Sequence, residues 1–156
     1  MVRRLPDLQK GLGEIKRVLR PGGRLSAIVF TTAEKTPFFS LPVTLIREWR
    51  GLPAPEPGQP GPFSLGAPGV LAGALETAGY RTAREQVIEA PLRFDSVQEC
   101  VRWRREASGT MQQMLSGLDD VARDKIWNQI EDALRQFETP QGFESPCELL
   151  VCSAVK

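Results

Sequence analysis

The chain has 156 residues, enough for one domain with a core of its own, and carries 20 Lys plus Arg against 19 Asp plus Glu with no histidine. A net charge of +1 supplies no global field toward nucleic acid or an anionic membrane. The lack of histidine removes the commonest general base and the commonest metal ligand, which excludes a Ser-His-Asp triad or a Cys-His pair and disfavours an ordinary zinc site.

Leu5, Leu8, Leu12, Ile15, Val18 and Leu19 recur at helical spacing and predict an amphipathic helix over about residues 6–20, with Pro6 in its first turn and Gly22-Gly23 at its stop. Asp7 near its start and Lys16, Arg17 and Arg20 near its end carry the signs that the helix dipole favours. After the Pro21-Gly22-Gly23 turn, Leu25-Ser26-Ala27-Ile28-Val29-Phe30 reads as an apolar strand covered on both faces. Residues 36–50 predict one or two short helices, broken or restarted at Pro42. Five prolines between Leu52 and Pro62 make 51–62 a Pro/Gly-rich loop, extended and mobile.

Pro68 opens a further helix through Leu71 and Leu75, which Gly79 ends in a left-handed conformation. Residues 81–89 alternate more and read as an edge strand. Ser96 with Glu99 is a capping-box signature for a helix holding Val97, Cys100, Val101 and Trp103, and Ser116 with Asp119 is a weaker one ahead of a long amphipathic helix reaching Phe137. Glu148 to Val155 is apolar on both faces and reads as a central strand. Cys100, Cys147 and Cys152 form no CxxC pair, and an odd count suits reduced thiols that act as small buried hydrophobes.

Few residues point to chemistry. Gly11-Leu12-Gly13 follows no strand and sits inside a helix pattern, so it is not read as a phosphate loop. Arg20-Pro21-Gly22-Gly23-Arg24 is ordinary turn chemistry rather than an anion nest. Phe38, Phe39, Trp49, Trp103, Met111 and Met114 either wall an apolar ligand pocket or serve as plain core, since Met and aromatic side chains suit both roles. Arg102, Arg104 and Arg105 read as a solvated helix face. Neither catalytic residues nor metal ligands are assigned.

The stretch Leu5-Pro6-Asp7-Leu8, Leu12, Glu14-Ile15, Arg17-Val18-Leu19-Arg20-Pro21-Gly22-Gly23-Arg24-Leu25 resembles class I S-adenosylmethionine-dependent methyltransferases of the ubiquinone/menaquinone-biosynthesis type. Phe63-Ser64-Leu65 with Leu75 and Ala78-Gly79-Tyr80 is similar to the same family's segment before the sixth strand. The resemblance implies an α/β, partial Rossmann-like methyltransferase fold. In it residues 24–30, 147–155 and 81–89 form a three-stranded sheet, as family strands five, seven and six, with flanking helices. The glycine-rich loop after strand one and the acidic residue after strand two have no counterpart, and Met1 looks like a formerly internal position. No cofactor-binding residue is carried over.

The expectations that follow are a single, truncated domain over 1–156, corresponding to the C-terminal, substrate-side half of such a methyltransferase and inactive alone. No cofactor is expected for the isolated chain, S-adenosylmethionine being that of the family. The alternatives are a module that binds a small hydrophobic ligand or a protein, and one chain of a split methyltransferase with a separate cofactor-binding chain. A homodimer is expected through the edge strand Arg24 to Phe30, because the family's strand four is missing and nothing from Leu25 to Phe30 blunts the edge. No apolar run is long enough to span a bilayer, and the start has no secretory apolar region, so a soluble cytoplasmic protein without nucleic-acid or membrane partners is expected.

Overall fold

The computed structural model describes residues 7–53 and 59–156. Its elements in chain order are α1 (Leu8–Val18), β1 (Arg24–Phe30), α2 (Pro37–Trp49), α3 (Val70–Thr77), β2 (Arg81–Glu89), β3 (Leu92–Phe94), α4 (Val97–Ala107), α5 (Gly109–Met114), α6 (Asp120–Leu134), β4 (Glu138–Thr139), β5 (Gly142–Ser145) and β6 (Glu148–Val155). The chain is α/β, with helices and two small antiparallel sheets, and these elements fall into two compact units. The start of the first expected helix and the centre of the expected mobile loop, residues 54–58, lie outside the described residues.

Unit one holds α1, β1, α3, β2 and β6. Asp7 caps α1, its carboxylate accepting the Lys10 N–H at 3.0 Å, and Lys156 Nζ donates to the Leu19 carbonyl at the other end. Gly79 takes the left-handed turn expected of it (φ +80°), whereas α1 ends at Val18 with an extended Leu19, ahead of the expected Gly22-Gly23 stop, and Gly22 (φ +73°) serves the turn that follows. The sheet order is β1-β6-β2, with β6 antiparallel to both neighbours. Leu12 of α1 and Leu71 and Leu75 of α3 pack with Ala27, Leu150, Cys152 and Ala154 from one sheet face, and the Tyr80 hydroxyl donates to the Leu12 carbonyl at 3.1 Å. Glu85 of β2 accepts the Gly69 and Ala72 N–H groups, holding the N-terminus of α3 against the sheet.

The expectation of strands covered on both faces is corrected here. Both helices serve the same face, so burial alternates along β1 and β6, and Ile28 is 60% exposed. Residues 25–30 nonetheless read as a buried strand in sequence because the outward positions, Ser26 and Ile28, include an apolar one.

Unit two holds α2, β3, α4, α5, α6, β4 and β5. The expected break at Pro42 does not occur: α2 is one helix of 13 residues with Pro42 inside it. Proline lacks the N–H for the Phe38 carbonyl, a loss of about 3 kcal/mol in an exposed helix. Here Phe38, Pro42 and Ile46 form one buried stripe, and packing outweighs that loss. Ser96 caps α4 by accepting the Glu99 N–H, one half of a capping box, while the Glu99 carboxylate accepts from Arg102. The cap of α6 is Asp119, not Ser116: its carboxylate accepts the Ala122 N–H at 2.8 Å. The β3-β5-β4 sheet was not foreseen, its strands being too short to show a period. All three cysteines are buried and free. No described helix is long and apolar enough to cross a membrane.

Candidate functional site

Unit two contains a buried cation. Val97, Cys100, Val101 and Arg104 stand at the i, i+3, i+4 and i+7 positions of α4, the spacing of a single helix face, and all four are buried. Arg104 is only 4% exposed, which corrects its reading as part of a solvated face. Its neighbours do fit that reading: Arg102 pairs with Glu99 and Arg105 with Asp124 at the surface, and Arg105 also lies 5.2 Å from the Trp127 ring. The signal for Arg104 was present in the sequence as its place in the Val97-Cys100-Val101 stripe.

The Arg104 guanidinium carbon lies 4.9 Å from the Phe39 ring centroid and 5.9 Å from that of Phe38, and Nη2 donates to the Met111 sulfur at 3.1 Å. The two rings meet edge to face at 6.4 Å between centroids. Both phenylalanines belong to the first turn of α2, whose N-cap residue, Thr36, is fully buried with a hydroxyl that has no hydrogen-bond partner. A hydroxyl in that state costs about 1–3 kcal/mol.

Of the six apolar candidates, Phe38, Phe39 and Met111 therefore gather around Arg104. Met114 packs against the core of the unit, Trp103 is 44% exposed with its ring 5.7 Å from that of Phe94, and Trp49 is 39% exposed at the end of α2.

Burial pushes the Cys100 thiol up to about 11, with the Arg104 charge opposing part of that rise, and burial raises Cys147 and Cys152 as well. These sulfurs are protonated near neutrality and poor nucleophiles. Among the described residues no group of His, Cys, Asp or Glu is placed to hold a metal ion.

No protein-family model matches the chain, and no curated protein matches it. One solved structure similar to the chain is that of Haemonchus contortus phosphoethanolamine N-methyltransferase 2, in complex with phosphomonomethylethanolamine and S-adenosylhomocysteine, with 12% sequence identity and a TM-score of 0.40. The match covers 99% of this chain and 31% of that one, so the chain spans less than a third of the enzyme's length. A likeness of this degree assigns no substrate and no cofactor.

Proposed function

We propose that the chain is a methyltransferase-like protein corresponding to the C-terminal, substrate-side half of an S-adenosylmethionine-dependent methyltransferase, and that it transfers no methyl group alone. The observation that supports this reading is the antiparallel order β1-β6-β2, entered from α1 through Pro21-Gly22-Gly23, which is the arrangement of strands five, seven and six in the family the sequence resembles. Gly11 and Gly13, the chain's one approach to a dinucleotide fingerprint, lie inside α1 and follow no described strand. In this reading S-adenosylmethionine binding belongs to a cofactor-binding half other than these residues, and β1 pairs with a second copy of itself in a homodimer.

Calorimetric titration of the purified chain with S-adenosylmethionine tests the reading. No saturable heat is expected; a micromolar dissociation constant, or methyl transfer by the chain alone, overturns it.

A second reading is the module for a small hydrophobic ligand, with Phe38, Phe39 and Met111, which gather around Arg104 in unit two, as its apolar wall. An apolar sulfonate dye, anilinonaphthalene sulfonate, is the probe. Saturable fluorescence enhancement that Phe39→Ala lowers supports the module, and enhancement unaffected by that change removes it.

A further inference from the structure

The open sheet face of unit one carries a feature that the methyltransferase reading does not use. Arg24 of β1, Arg84 of β2 and Ser153 of β6 line a concavity of ≈ 310 Å³ together with Thr82, Ala154 and Val155. The register explains the convergence. Ser153 lies opposite Ser26 on one side and Arg84 on the other, and Val155 lies opposite Arg24. β1 and β2 flank β6 and the two arginines stand two residues apart along it, so their backbones are about 12 Å apart, a span that two guanidinium side chains can close over the strand between them.

Two observations point to an anion there. None of the ion pairs among the described residues uses Arg24 or Arg84, so two cations face one hollow without a carboxylate. The wall of the hollow is also strained. Thr82 has φ +51°, the one non-glycine residue with positive φ among the described residues, and it sits at a register shift between Arg81 and Arg84. An unbroken ladder from the Arg81–Val155 pair would bring Ala83 opposite Ser153. The extra residue instead brings Arg84 there, and it turns Glu85 to the helix side, where it caps α3. Strain of this kind persists where surrounding structure enforces it, most often at binding sites.

We propose that this hollow binds a phosphoryl group, with the Arg24 and Arg84 guanidinium groups as charged donors on either side and the Ser153 and Thr82 hydroxyls completing the cradle. Donors on several sides fit a tetrahedral oxyanion better than a planar carboxylate, and two fixed positive charges match a phosphate dianion.

The test is a nuclear magnetic resonance titration of the full chain with inorganic phosphate, and in a second arm with phenyl phosphate, at ionic strength held constant with sodium chloride. Saturable shifts centred on the amides of Thr82, Ala83, Arg84 and Ser153 are expected. Arg24→Gln with Arg84→Gln should weaken binding at least about tenfold while leaving a dispersed spectrum, and Ser153→Ala should weaken it by about threefold. Tighter binding of phenyl phosphate identifies an organic phosphate as the ligand class, and equal binding identifies free phosphate. Shifts no larger than those with chloride alone overturn the proposal. So do saturable shifts that Ser153→Ala and the double substitution both leave unchanged.

Discussion

Arg104 Nη2 donates to the sulfur of Met111 at 3.1 Å, joining the last turn of α4 to α5. A guanidinium in this position packs on two aromatic rings and a thioether, so its removal leaves a hole in a packed core. Arg104→Ala is expected to destabilise the protein by about 2–4 kcal/mol, and Arg102→Ala two residues away by ~0.5 kcal/mol or less, because the latter pair is exposed to solvent. Urea denaturation of the two variants checks this. Equal midpoints would mean that the Arg104 cluster contributes no net stability.

The thiol of Cys100 gives a pH dependence whose sign can be worked out. Its ordinary value is 9.0, and burial raises it in the folded protein to about 11. Between these two values the unfolded chain has released a proton that the folded chain retains, so unfolding gains free energy from deprotonation. The contribution is fully present below pH 9 and is lost as pH rises through about 11. Denaturant midpoints measured across that window should fall, and Cys100→Ala should flatten part of the fall. An unchanged slope in the variant would mean that the thiol does not titrate differently on folding.

Much of the fold could be read from sequence because local signals and tertiary packing agree. Ser96 and Gly79 act where side-chain chemistry alone places them, as a cap and a left-handed turn, while Asp7, read as lying inside the first helix, is its cap. The failures have physical causes. Pro42 stays within a helix because a buried stripe outweighs the lost hydrogen bond, and a single sequence does not display that burial. Ile28 is exposed because α1 and α3, the helices of unit one, both pack on the other face of the sheet, although its neighbours are apolar. The burial of Arg104 does not show in its charge, only in its position. On composition the Arg102–Arg105 run is a surface, whereas on helical spacing its third member belongs with Val97 and Cys100. The hollow between Arg24 and Arg84 was beyond reach, since it depends on a one-residue register shift that the sequence does not announce.

Gly66 offers a sharper test of unit one. A Cβ built there would meet the carbonyl oxygens of Phe30 and Thr31, which are backbone atoms at the end of β1 and have little room to move. Gly66→Ala should therefore cost about 2 kcal/mol or more, whereas Gly73→Ala, with open space around the added methyl inside α3, should stabilise by about 0.5–1 kcal/mol through helix propensity. Thermal unfolding of the two variants measures the difference. A neutral Gly66→Ala would show that the 63–66 segment does not pack closely on β1 in solution.

The last prediction concerns self-association. Among the described residues β1 has one strand neighbour, β6, and Ile28, on the sheet face away from α1 and α3, is 60% exposed. An apolar edge strand is a template for pairing, and an isologous β1–β1 contact would extend the sheet across a two-fold axis while covering the same patch on each subunit. β2 forms the other edge and exposes Val87 to a similar degree, 50%, so exposure alone does not choose between them. What separates the two edges is their composition. β2 brings Arg81, Arg84, Glu85, Gln86 and Glu89, charged and polar groups that resist pairing, whereas in β1 the run from Leu25 to Phe30 has no charge at all. A dimer at tens of micromolar is therefore expected on a sizing column with light scattering. Ile28→Lys would place two ammonium groups near the two-fold axis, where like charges repel across a strand pair, and should weaken the dimer much more than Val87→Lys. A strictly monomeric protein defeats the idea outright, and equal effects of the two substitutions would locate the interface away from β1.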